Sequence, residues 1–378
     1  MKAVIFGAGQ TGRGYIARYL VDKNYDISFV EINRELISKL NEDKFFNIHF
    51  YDQDRTPFVV SGFNAYYLDD QVIPLISQAD LIFTAVGEQN LKYVAPYIVS
   101  SLNFRKNKAI IITNENGINP ARVLRDEIKK HTTQNNYLVS QTAVFCSTVN
   151  VKGTRLDIFS QNETYYPYDC DELTTGLNLK GAVPVHNFEN FLKRKIYTYN
   201  ALAGIISYLG YLKGYSIYGE AANDEEISYI MDLLLKELNP ALAEYFNISL
   251  KEQETFANKA LTKFKNRNIL DYVIKNGRDA FRKLGKTERI IAPMKIIEDH
   301  GGNADILYLN AAAALTYWKE LSGNGREPLM SGTPLQELAK ILDTDEENEL
   351  IKKIEAFYNK IIEDRDHIKL FRLLENNR

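Results

Sequence analysis

The chain has 378 residues, of which 45% are hydrophobic and 25% charged, and 46 basic against 49 acidic side chains give a formal net charge of −3. Single hydrophobic cores stop growing near 250 to 300 residues, so two domains are expected. The charges alternate instead of clustering, which removes the footprint of a nucleic-acid binder, and no apolar run approaches the roughly 18 residues of a membrane span, so a small-molecule partner is expected.

The first segment, "MKAVIFGAGQTGRGYIARYLVDKNYDISFVEIN", reads as strand ("AVIF"), glycine turn, helix to about Leu20, and strand ("ISFVE"). That is a βαβ unit of about 30 residues. "AVIF" is too short for a secretory h-region, and cytoplasmic localisation is the expectation. The stretch at 46–68, with period-2 alternation around "DQDRTP", reads as antiparallel strands inserted into this unit. Buried strands follow at 80–87 ("DLIFTAVG") and 108–117 ("KAIIITNENG") with helices between them, the alternation of a doubly wound parallel sheet. From about Asn187 long segments of 3.6-residue period replace strands, and "KGAVPVH" at 180–186 is a natural boundary. The expected fold is α/β: a Rossmann-type domain over 1–186 and a mostly helical domain over 187–378.

Within "GAGQTG", Gly7, Gly9 and Gly12 fit the dinucleotide pattern, with Ala8, Gln10 and Thr11 completing the turn. The first glycine allows the tight turn, the second lets backbone approach a pyrophosphate, and the third lets helix pack on strand. Glu31 stands 19 residues after Gly12, at the end of the next strand. A carboxylate there accepts from ribose hydroxyls and repels a 2′-phosphate, which favours NAD over NADP. Val86 and Gly87 in "TAVG", and Asn114 and Asn116 in "TNENG", fall at later strand ends that face the same crevice.

The segment "KIYTYNALAG" at 195–204 is helical by pattern. At about 100° per residue, with Lys195 at zero, Asn200 lies about 140° round, position 203 about 80° and Ser207 about 120°. A ligand on that arc meets an ammonium at one side and an amide at the other. A lysine that accepts a proton from an alcohol needs its pKa lowered by burial or neighbouring cations, and Lys193 and Arg194 are adjacent in sequence. The alternative is a solvated helix lysine and an asparagine with a local hydrogen bond. Cys146 and Cys170 lie 24 apart without a ligand motif, and the five histidines are scattered, so no metal is expected.

These stretches resemble the polyol-specific long-chain dehydrogenases, their mannitol-1-phosphate branch in particular. The likeness runs through "FGAGQTGRGYIARYL", "TAVG", "NENG", "LKGAVPVHNFENFLKRKIYTYNALAGIISYLGYLKG", "RKL" at 282–284 and "RIIAP" at 289–293. It implies an NAD-dependent, metal-independent interconversion of a hexitol phosphate and a keto-sugar phosphate, with Lys195 as general base. Asn200 and Asn116 are then substrate residues. The family signature K-x4-N-x2-H is matched by Lys195 and Asn200, but its third position is Ala203. The family's Asp-Ser-x-Val-Asp-Arg reads here as Gln141, Thr142, Ala143, Val144, Phe145 and Cys146. Losing one transition-state donor costs about 3 to 4 kcal/mol, and Ser207 and His300 are candidate replacements. Open alternatives are reduction of a hexuronate or another polyol, and an NAD-binding sensor or scaffold without turnover. Either a monomer or a dimer is compatible with the sequence.

Overall fold

The computed structural model describes residues 1–51, 55–173, 175–325 and 327–375. Two compact units divide the chain, Met1–Leu192 and Lys193–Arg378.

The first unit is built on six parallel strands: β1 (Lys2–Phe6), β2 (Asp26–Glu31), β5 (Asn64–Tyr67), β6 (Leu81–Thr84), β7 (Ala109–Thr113) and β8 (Tyr137–Gln141). Their order is β5-β2-β1-β6-β7-β8, so the sheet grows outward in both directions from β1 and the crossover point falls beside the glycine turn. A parallel sheet covered on both faces needs apolar residues at successive positions, and β1 shows why "AVIF" works. Ala3 and Ile5 pack with Phe29, Phe83 and Tyr15 on one side, while Val4 and Phe6 pack with Ile82, Ile98 and Leu124 on the other. Alternate side chains of one strand therefore feed two cores.

The stretch at 46–68 differs in part from its reading as an inserted antiparallel element. β3 (Phe45–Phe50) and β4 (Phe58–Ser61) do pair antiparallel, but β5 pairs parallel with β2 and is the edge strand of the main sheet. Ala65 and Phe63 bury their side chains in the core shared with Phe29 and Phe46, which draws this strand onto β2. The "DQDRTP" turn falls partly outside the described residues, at Asp52–Asp54. β3 and β4 join β9 (Thr148–Asn150) and β10 (Ile158–Ser160) in a second sheet of order β4-β3-β10-β9. The short strands β11 (Tyr166–Asp169) and β12 (Ala182–Val185) pair parallel.

The second unit is helical. Asp224 caps the helix Glu225–Tyr245 by accepting from the Ile227 N–H, with Glu225 and Glu226 in the first turn opposite the helix dipole. The helix Asp305–Leu321 buries thirteen consecutive residues from Ile306 to Trp318. A helix apolar on every side belongs in the middle of a bundle, and each large side chain buried there contributes about 1.5 to 3 kcal/mol. The same holds for Ala201–Leu212, the continuation of the helix that carries Lys195.

Candidate active site

The glycine turn is held from both sides. Glu31, at the end of β2, accepts from the Ala8 N–H through Oε2 (2.9 Å) and from the Ile32 and Asn33 N–H groups through Oε1 (2.8 and 3.1 Å). Arg13, buried, donates from Nε to the Ala8 carbonyl at 2.8 Å, from one terminal nitrogen to the Leu156 carbonyl, and from the other to Asn150 Oδ1 at 3.1 Å. Burial pulls the Arg13 guanidinium down to about 10, against the opposing pull of Glu31 and Asp157. One residue of the turn, Ala8, is thus clamped at both its N–H and its carbonyl. Sequence reasoning missed Arg13, whose place inside "GAGQTGRG" was its only signal.

The three glycines differ in their surroundings. Gly7 has φ +96°, and a Cβ there would lie 2.4 Å from the Ala85 carbonyl oxygen. A Cβ on Gly12 would meet the Gly7 carbonyl oxygen at 2.0 Å. A Cβ on Gly9 would meet nothing within 4 Å. Gly7 and Gly12 are therefore required by the fold itself, whereas Gly9 borders open space at the start of the helical run through Gln10 and Thr11. The N–H groups of a first helical turn have no intrahelical partners and favour an anion. An open approach at Gly9 beside such donors fits a dinucleotide pyrophosphate. Arg34, a rival for a 2′-phosphate, lies over the Tyr67 ring at 3.7 Å.

At the later strand ends, Glu115 is the organising residue, and it too was missed. Buried at the end of β7, it accepts from the Val86 and Gly87 N–H groups at 3.0 and 2.8 Å. Burial raises its pKa, with those two backbone hydrogen bonds opposing. The amides of Val86 and Gly87 are therefore engaged by a carboxylate, and Asn90 donates to their carbonyls, from its side-chain amide to Val86 at 2.8 Å and from its backbone N–H to Gly87 at 2.9 Å. Asn114 is buried, donates to the Ile112 carbonyl at 3.1 Å and accepts from the Tyr166 hydroxyl at 2.7 Å. Asn116, two residues on, is exposed.

In the second unit, Lys195 ends the helix Phe188–Lys195 and is buried, with 7% of its surface exposed. Its pKa falls from the ordinary lysine value to about 7, first by burial and then through the positive charges of Lys263 and Arg289. Lys193 and Arg194, which sequence adjacency suggested, are not those cations. Arg194 turns to Glu252 and Gln253 instead, at 2.6 and 2.8 Å. Nothing in the sequence around Lys263 marked it.

The helix is also not regular. Ile196–Asn200 is a π-helical turn before the α-helix resumes at Ala201. An i→i+5 turn holds one more residue than an α-turn, so the advance per residue falls to roughly 80° and Asn200 lies about 50° from Lys195, not 140°. The amide is thereby brought toward the ammonium's side of the helix. Ala203 is partly exposed; Ser207 is buried and donates to the Ala203 carbonyl at 2.7 Å. His300 sits 2.6 Å from Glu244. The Ser207 hydroxyl proton is thus already used within its own helix, and His300 is engaged by Glu244 through Nδ1. The departures at 141–146 pack inside the first unit: Gln141 bonds to the Ala121 N–H and Asp169, and Thr142 to the Pro167 carbonyl.

Residues 1–152 match the model of the mannitol dehydrogenase Rossmann domain, and residues 187–371 that of the mannitol dehydrogenase C-terminal domain. A mannitol-1-phosphate 5-dehydrogenase of Thermoanaerobacter pseudethanolicus is 30% identical over 383 residues, covering 96% of this chain and 98% of its own. Another from an Arthrobacter species is 31% identical over 84% of this chain and 86% of its own. In fold, the chain resembles the mannitol 2-dehydrogenase of Pseudomonas fluorescens, solved as a ternary complex with NAD and D-mannitol, with a TM-score of 0.80 and 15% identity over 100% of this chain and 94% of that one.

Proposed function

The chain belongs to the mannitol dehydrogenase family, and from that premise we propose that it is an NAD-dependent dehydrogenase interconverting mannitol 1-phosphate and fructose 6-phosphate with Lys195 as general base and no catalytic metal. The observation that carries the reading is Lys195 itself: buried, and with its pKa brought to about 7. A group matched to neutral pH can take a proton from a hydroxyl in one direction and return it in the other. A solvated helix lysine does neither.

In this reading Gly7, Ala8, Gly9, Gln10, Thr11 and Gly12 hold the pyrophosphate, Glu31 offers its remaining acceptor capacity to the adenosine ribose, and Val86, Gly87 and Asn114 line the nucleotide's path. The bound nicotinamide supplies the acceptor or donor of hydride. Lys195 Nζ removes the proton of the reacting hydroxyl as the C–H bond breaks, so the carbinol becomes a carbonyl, one proton rests on Nζ, and charge balances. Asn200 donates to the same oxygen and stabilises it as it turns anionic. Asn116 positions the polyol chain.

Ala203 supports a second reading, a protein that binds the dinucleotide without turnover, because a methyl group replaces the family's histidine. Steady-state assays with NADH on fructose 6-phosphate, other keto-sugars and uronates separate the two. Turnover with fructose 6-phosphate is expected. NADH binding without turnover on any of them would favour the second reading.

A further inference from the structure

The geometry points to a transition-metal site in the first unit, formed by Cys170, Asp171 and His186, that would hold a zinc-like divalent ion. The ligand atoms of these three residues all lie within 4.8 Å of one another.

Strand pairing creates the cluster. β11 and β12 run parallel with Asp169 opposite Val185, so one step on, Cys170 stands opposite His186, and the Cys170 N–H bonds to the Val185 carbonyl at 3.2 Å. Asp171 follows, and one of its oxygens accepts from the Asn187 N–H at 2.8 Å, which turns the other to His186 Nδ1 at 2.5 Å. Cys170 Sγ lies 3.5 Å from the same Nδ1. Sixteen residues separate the cysteine from the histidine, a spacing that resembles no zinc motif.

Two ordinary explanations fit less well. In a nucleophilic Cys-His-Asp relay the thiol and the carboxylate address opposite nitrogens of the imidazole, so that the ring can be oriented at one and accept a proton at the other. Here both address Nδ1, and no relay is possible. A plain Asp–His ion pair accounts for the carboxylate but not for the sulfur on the same nitrogen. One divalent ion held by all three side chains accounts for a sulfur and a carboxylate oxygen meeting the same nitrogen.

The distances agree with that. Zinc bonds of about 2.3 Å to sulfur and 2.0 to 2.1 Å to nitrogen, at a tetrahedral angle, put the two ligand atoms about 3.6 Å apart, close to the separation found. The Asp171 oxygen would move back by about 0.8 Å to admit the ion. Its second oxygen stays anchored on Asn187, the kind of outer contact that orients a ligating carboxylate. A thiolate with an imidazole selects zinc, cobalt or nickel over magnesium and calcium. His186 and Asp171 are exposed, so water can complete the coordination.

The test uses the full chain stripped with chelator and titrated with Co²⁺ alone, then Zn²⁺. One Co²⁺ per chain is expected, with a thiolate-to-metal absorption band that Zn²⁺ abolishes. Cys170→Ser should remove the band, His186→Gln should weaken binding by about tenfold or more, and Cys146→Ser, which alters the other cysteine, should leave both intact. Zn²⁺ should raise the Tm of the wild-type chain and not that of the His186→Gln variant. No band in the wild-type chain, or a band that persists in Cys170→Ser, overturns the assignment.

Discussion

The Glu31 carboxylate accepts a hydrogen bond from the backbone N–H of Ala8 at 2.9 Å, so the acid that ends the second strand is part of the glycine turn. Three of its roughly four acceptor positions are occupied by backbone N–H groups, and one is left for a ligand. Glu31→Ala should therefore do two things at once. It should weaken NADH binding by about tenfold or more, because charge-assisted hydrogen bonds contribute about 1.5 to 3 kcal/mol each, and it should erase the preference for NADH over NADPH. Fluorescence titration with both reduced cofactors at equal salt measures this. Tighter binding of NADPH by the unaltered chain would defeat the assignment.

The three turn glycines should separate into two classes. Gly7→Ala and Gly12→Ala force a Cβ to within 2.4 and 2.0 Å of carbonyl oxygens, and both should lower the Tm markedly. Gly9→Val meets open space in the free protein, so its Tm should match the wild type while cofactor binding disappears. Thermal unfolding paired with an NADH titration distinguishes them. A Gly9→Val protein that binds NADH normally would show that the pyrophosphate does not pass there.

Lys195→Met should lower kcat by several orders of magnitude with NADH affinity nearly unchanged. It should also raise the Tm near neutral pH. Between pH 7 and the ordinary lysine value the unfolded chain binds a proton that the folded chain does not, so wild-type stability rises with pH across that window and the variant escapes the penalty. A variant that loses activity and stability together would point to a structural lysine instead.

The pH profile carries a matching signature. Below about 7 Lys195 holds its proton and cannot accept another, so polyol oxidation should rise about tenfold per pH unit and level off above 7. Ketose reduction, which needs that proton, should fall on the alkaline side. Because Lys263 and Arg289 depress the lysine, Lys263→Met should move the break to higher pH. An unmoved break would mean that Lys263 takes no part in setting it.

Ala203→His restores a donor at the third signature position and should raise turnover on mannitol 1-phosphate, by up to the roughly hundred- to thousandfold that one such donor contributes in worked cases. Ser207→Ala should leave turnover unchanged, since that hydroxyl is bonded to the Ala203 carbonyl. A folded Ala203→His protein without gain on any sugar would show that the pocket has been remodelled beyond one residue.

Chelation should leave turnover intact even while it empties the Cys170, Asp171 and His186 cluster. Loss of activity with EDTA and recovery with Zn²⁺ would refute a lysine base acting alone.

What the sequence determined by itself was whatever depends on near neighbours along the chain. The strand, glycine turn, helix and acid of residues 2–31 lie within one βαβ unit, and the helical second half declares its period over every segment. Lys195 and Asn200 are legible because they share one helix. Only the tertiary structure decided how that helix turns: the π-helical Ile196–Asn200 shifts the amide relative to a regular wheel, and no period in the sequence marks it. It likewise decided that β5 joins the main sheet, because pairing with β2 depends on burial shared with residues far from it in sequence. The cations that tune Lys195 lie 68 and 94 residues away, and the cysteine and histidine of the candidate metal site meet through a strand register. Charge and coordination act through space over a few ångströms, and the pattern of near neighbours carries no record of which distant residues the fold brings within that reach.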